Sequence, residues 1–137
     1  MGTRLGAMEP KLVTAEKDLA ARAELLQREP LFHRPGFGNT RPDFERMMAP
    51  EFWEVGASGR RYSREYILGV LDERLESPPE DVWQVEDFHC AELAANHYLA
   101  TYTLLQGPRI TRRATLWRRT AEGWQAVYHQ GTVVAEA

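Results

Sequence analysis

Cysteine is almost missing from this chain: Cys90 stands alone among 137 residues. A single thiol excludes an internal disulfide framework and a cysteine-built zinc site, and it points to a reducing, cytoplasmic setting. Long apolar runs are missing too. None approaches the roughly 20 residues of a membrane span, and Met1 to Pro10 lacks the apolar centre of a secretory leader. There is no excess of positive charge. Lys and Arg number 17 against 20 Asp and Glu, for a formal net charge of −3, whereas a nucleic-acid partner favours a basic surface. The pairs Arg112-Arg113 and Arg118-Arg119 do not change that reading. Neighbours in a strand point to opposite faces, and no aromatic ladder interleaves with them. None of the four histidines (His33, His89, His97, His129) stands at helical metal spacing from another. The expectation is therefore no metal, no cofactor, no nucleic acid and no membrane.

What is present is a chain of single-domain size with an ordinary 43% hydrophobic and 27% charged content. Residues 1–13 read as a flexible N-terminus and 14–134 as one domain. Thr14 reads as a helix cap, and Leu12, Ala15, Leu19, Ala23 and Leu26 recur at the spacing of one helical face. Pro30 ends that helix at Glu29. The segment from Pro30 to Pro42 reads as an ordered covering loop in which Phe32 and Phe37 seek burial. A short helix is expected over Pro42 to Met48, capped by Thr40, with Phe44, Met47 and Met48 inward. Pro50 separates it from a strand at Glu51 to Gly56, and Ala57 to Arg60 turns the chain into a brief strand at Arg61 and Tyr62. Ser63 caps a third helix whose apolar face is Ile67, Leu68, Val70, Leu71 and Leu75, closed by Ser77-Pro78-Pro79. From Asp81 the period changes to two, and the stretch from Asn96 to Val134 reads as three strands broken near Gly107 and Gly123. The pattern α-α-β-β-α-β-β-β-β predicts an α+β fold, with N-terminal helices packed on a curved, mostly antiparallel sheet. Leu19, Leu26, Ile67, Leu71 and Trp83 are expected to be buried.

A wrapped sheet leaves a concave mouth, where ligand sites tend to form. Glu54 sits in an otherwise apolar strand. Turned inward and desolvated, it becomes a candidate general base; turned outward, it is exposed or paired with Arg113 or Arg61. With a tight turn at Glu122-Gly123, Arg113, Thr115 and Trp117 share a face with Ala126, Tyr128 and Gln130, and a bulge would reverse that relation. The catalytic candidates are Glu54 as acid/base, Arg113 as anion partner and His129 as an orienting group. Trp53, Tyr102, Thr115, Trp117, Tyr128 and Gln130 are the candidate ligand-binding residues. Cys90 reads as a small buried hydrophobe, because its neighbour His89 points the other way.

The stretches FWEVGASGRRYSREYIL, VEDFHC and TRRATLWRRTAEGWQAVYHQGT carry a resemblance. From about Ala15 to Val133 the chain resembles the nuclear transport factor 2-like superfamily, in a bacterial branch of unknown function. The resemblance implies a cone-shaped α+β fold and, because that fold hosts isomerases, dehydratases, cyclases, hydrolases and non-catalytic assembly proteins, no single activity. The acid/base sets of its catalytic members have no residue-by-residue counterpart here. Two functions remain: a small-molecule protein or cofactor-independent enzyme working in the cone, and a non-catalytic interaction module. Apolar residues on both faces of the late strands, together with the habit of the superfamily, predict a homodimer joined through the sheet.

Overall fold

A computed structural model describes residues 8–30, 32, 40–76 and 82–135. His33, Phe37 and the Ser77-Pro78-Pro79 turn lie outside the described residues. The elements are a short 3-10 helix at Glu16–Asp18, then α1 (Leu19–Leu26), α2 (Arg41–Met47), β1 (Met48–Val55), β2 (Arg61–Ser63), α3 (Arg64–Glu76), β3 (Gln84–Ala94), β4 (His97–Gln106), β5 (Arg109–Thr120) and β6 (Gly123–Val133). Six strands form one sheet in the order β2-β1-β6-β5-β4-β3. Among the described residues only the β1–β6 pairing is parallel; the others are antiparallel. The expected α+β arrangement, helices on a curved and mostly antiparallel sheet, is what the chain adopts.

Local chemistry explains most boundaries. The Thr40 hydroxyl accepts the Asp43 amide at the start of α2, and the Ser63 hydroxyl accepts the Tyr66 amide at the start of α3. Gly107 and Gly123 take positive φ in the two late hairpin turns, a region open to glycine without steric cost. Thr14 does not cap α1. Its hydroxyl accepts the backbone amide of Cys90 on the edge strand β3; the cap position of the 3-10 helix falls to Ala15 and that of α1 to Asp18, neither with a side-chain bond. Pro50 does not precede β1 but lies within it, where the register against β6 shifts, as a residue without a donor requires.

The core joins Leu25 from α1, Phe44 from α2, and Ile67, Leu68 and Leu71 from α3 to Tyr98, Leu104, Trp117, Trp124 and Ala126 of the sheet. Ile67 and Leu71 are buried as expected; Leu26 and Trp83 are half-buried at the core margin. The expected face of α1 needs correction. Leu19 is 50% exposed and Leu12 55% exposed, and Ala23 is exposed as well. The buried stripe is Asp18, Ala21, Leu25 and Glu29, still at three- and four-residue spacing but carrying two carboxylates. A search for an apolar face therefore selects the wrong side. Leu75 at the end of α3 is also exposed.

Candidate functional site

The sheet register decides which side chains meet. On β5, Thr111, Arg113, Thr115 and Trp117 face the helices, and they pair with Leu104, Tyr102, Ala100 and Tyr98 of β4. On β6 the register shifts between Leu116 and Trp117: Leu116 pairs with Tyr128 and Trp117 with Ala126, leaving Val127 as the extra residue of a bulge. Beyond the bulge, Thr115 pairs with His129 and Arg113 with Gly131. In the parallel β1–β6 pair, Glu54 is the partner of His129. Glu54, His129, Thr115, Arg113 and Tyr102 thus line one concave face, strand beside strand.

The same bulge sends Tyr128 and Gln130 to the outer face. Trp53 goes with them, its ring 4.7 Å from that of Tyr128, and it is 43% exposed. The expectation that Trp53, Tyr128 and Gln130 wall the same cavity as Glu54 is corrected for that reason: parity counted through a bulge assigns the wrong face. The Tyr128 hydroxyl donates to the Gln130 amide oxygen, so that pair is engaged outside the cone.

The concave residues form a connected polar row. The Arg113 Nε donates to Thr111 Oγ1 at 3.0 Å, and its Nη1 lies 3.4 Å from His129 Nε2. His129 Nδ1 lies 2.7 Å from Thr115 Oγ1. Arginine has only donors, so His129 meets it with the lone pair of Nε2, and the proton of the neutral ring sits on Nδ1 facing the threonine hydroxyl. Burial raises the Glu54 carboxyl above the ordinary carboxylate range, while the charges of Arg113 and Arg74 pull it partly back.

A second carboxylate enters from the helical layer. Glu29 is fully buried. One oxygen accepts the Tyr102 hydroxyl at 2.9 Å and the other accepts the Trp117 indole N–H at 3.1 Å. Those donors stand on the rungs either side of Ala100–Thr115, where the small Ala100 leaves room below the carboxylate. Sequence reasoning missed Glu29 because the following Pro30 marked it only as a helix end. The available signal was the Asp18, Ala21, Leu25, Glu29 spacing. Tyr102, Thr115 and Trp117 thus sit on the concave face, but Tyr102 and Trp117 are already engaged by Glu29. Burial pushes the Cys90 thiol up to about 11, which leaves it an inert core group. Among the described residues, no cluster of three or more His, Cys, Asp or Glu side chains is arranged to hold a metal ion.

Chemically, the row offers a fixed cation, a neutral imidazole and a carboxyl that holds its proton to higher pH than usual, beside a wall of aromatic rings. No family profile matches the sequence, and no curated protein matches it. Solved structures do match. A Caulobacter vibrioides protein described as having a cystatin-like fold aligns with a TM-score of 0.65 at 17% identity, covering 88% of this chain and 92% of that one. A nuclear transport factor 2-like protein of unknown function from Silicibacter pomeroyi aligns with a TM-score of 0.59 at 14% identity, over 89% and 100%. The chain has the nuclear transport factor 2-like fold. A third protein with this fold, from Exiguobacterium sibiricum and assigned to the Ca/calmodulin-dependent kinase II association domain, aligns with a TM-score of 0.56 at 18% identity, over 95% and 99%. In the nuclear transport factor 2-like fold of this chain, the polar row lies between the helices and the sheet, and the Trp53–Tyr128 pair lies on the opposite surface.

Proposed function

We propose that the protein binds a small molecule bearing a carbonyl or carboxylate group in the cone and transfers a proton on it without a cofactor. The observation that carries this reading is the row of Glu54, His129 and Arg113 on adjacent strands of one concave face, with Glu54 raised by burial. Arg113 stabilises the negative oxygen as it develops. Glu54 exchanges the proton, and His129 orients the guanidinium. A carboxyl that exchanges a proton beside a fixed cation is compatible with isomerase, dehydratase, cyclase or hydrolase chemistry and does not choose among them. Single-cysteine composition supports a cytoplasmic setting. Nuclear magnetic resonance of the labelled chain, titrated with a library of small ketones and carboxylic acids, tests the reading. Hits should move the Thr115, Trp117 and His129 signals and be lost in Glu54→Gln and Arg113→Gln variants that keep the wild-type fold. A library that leaves those signals still would overturn it.

A homodimer through the outer face is the second reading, favoured by one observation: Trp53 is exposed against Tyr128 beside Leu116. Exposed aromatic pairs of this kind mark interfaces, and a twofold axis lets the patch bury itself against its copy. The assignment of the similar Exiguobacterium sibiricum protein to an association domain supports the same reading. Light scattering at micromolar concentration should give twice 15.7 kDa; the mass of one chain would overturn it.

A further inference from the structure

A cavity of about 940 Å³ opens against the outer side of the sheet, with Tyr102 and Arg113 of the concave face contributing to its lining. Its roof is the segment Glu9, Pro10, Lys11 and Leu12; its floor includes Leu99, Thr101, Thr103, Arg112 and Ala114. The roof is tied down at both ends. The Glu9 carboxylate accepts from Arg112 Nη2 at 2.9 Å, and the Val13 carbonyl lies 3.1 Å from His89 Nε2. Arg112 also donates to the Thr103 hydroxyl on the neighbouring strand. The cleft is thus two-natured: Leu12, Leu99 and Ala114 are apolar, while Lys11, Arg112 and the threonines supply donors. The Thr101 hydroxyl is buried without a hydrogen-bond partner among the described residues, although Thr101 is part of the cleft wall.

We propose that this cleft is a second binding site, for an amphipathic carboxylate whose headgroup replaces Glu9 on Arg112. The Glu9 side chain already shows what Arg112 receives there, a carboxylate seated on a guanidinium backed by Thr103. The displacement is easy, because both side chains are solvent-exposed, 59% for Glu9 and 47% for Arg112, and exposed ion pairs are weak. The apolar tail then runs along Leu99 and Ala114 under Leu12. The volume falls within the range of ligand cavities, roughly 300–1,000 Å³. The arm acts as a latch that lifts when the ligand takes its place.

Calorimetric titration of the full chain with octanoate, and with octanamide as its neutral counterpart, tests the site. Octanoate should bind once per chain and octanamide about tenfold more weakly, the scale of one charge-assisted contact. Arg112→Gln should lose about the same factor. Glu9→Gln removes the internal competitor and should tighten octanoate by a few fold. In nuclear magnetic resonance, the methyl groups of Leu12, Leu99 and Ala114 should shift. Equal affinity for the two probes, an Arg112→Gln variant that binds as well as wild type, or a Glu9→Gln variant that binds no tighter would each overturn the proposal. So would octanoate shifts confined to the Trp117 indole inside the cone.

Discussion

Both faces of the sheet carry a carboxylate that accepts two hydrogen bonds from its surroundings. Inside, Glu29 accepts Tyr102 and Trp117 and is fully buried. Outside, Glu51 accepts both Nη atoms of Arg118, at 2.8 and 3.2 Å, with 56% of its side chain exposed. The bond lengths are alike, so geometry alone does not rank them. Solvent does. An exposed pair exchanges its partner for water at little cost, whereas a buried group deprived of its partner has no water to turn to. The inner polar groups should therefore be energetically sensitive and the outer ones tolerant, and substitutions on each side measure the difference.

The largest effect should come from Trp117→Ala. Trp117 is fully buried, with its ring 6.5 Å from that of Trp124 in an edge-on arrangement. The substitution opens a cavity and removes one donor from Glu29. A loss of about 3–5 kcal/mol is expected in urea unfolding; a loss near 1 kcal/mol would mean that the cone collapses around the gap. Thr115→Val comes next. It keeps the volume but strips His129 Nδ1 of its oxygen at a fully buried position, and about 1–3 kcal/mol should be lost. A neutral result would show that His129 turns to another partner.

How far these sites were legible follows from what each residue announces. α3 was readable because Ser63 caps it and Ile67, Leu68 and Leu71 repeat on one face without polar interruption. The late strands were readable because their turns carry glycine at positive φ. Glu54 stood out as a carboxylate in an otherwise apolar strand, and Arg113 and His129 as polar groups among the aromatic residues of the late strands. The alignment among them was not readable, because it depends on Val127 and on the register shift beside it. Nothing in the run Ala126-Val127-Tyr128 marks a bulge, and one extra residue moves Tyr128 and Gln130 to the other face. Glu29 failed for a different reason. Its burial requires Tyr102 and Trp117, far along the chain, to supply both donors, and helical periodicity does not report such distant partners. Residues 1–13 read as a flexible N-terminus, yet Glu9 reaches Arg112.

The third effect is conditional on pH. Burial lifts the Glu54 carboxyl above its ordinary 4.5, against the pull of Arg113 and Arg74. The folded chain therefore binds this proton more tightly than the unfolded chain does. The resulting stability is complete below the unfolded value and is lost as pH rises through the folded one. Glu54→Gln removes the titration while keeping the shape. Wild type should lose stability relative to Glu54→Gln as pH rises above the ordinary value of 4.5, read as diverging urea midpoints. A pH-independent difference would show that Glu54 is hydrated like Glu51, and the contrast between the faces would fail at this position.

Glu51→Gln should give the smallest effect. The Arg118 hydrogen bonds hold the Glu51 carboxyl below its ordinary range, so its stabilisation is present above the unfolded value and fades as pH falls through the folded one. Arg118 also has a second acceptor, the Gln125 amide oxygen at 3.3 Å, which softens the loss. A change within about 0.5 kcal/mol is expected, shrinking further as added salt screens the pair. A loss above about 1.5 kcal/mol would carry a definite meaning, because a bidentate pair reaches that strength only when water is kept away. The outer face would then be covered in solution, and the exposed Trp53–Tyr128 patch beside it names the surface on which a second copy would rest. Repeating the measurement across protein concentration separates the two cases: a covering copy makes the loss grow with concentration, and a solvated monomer leaves it flat.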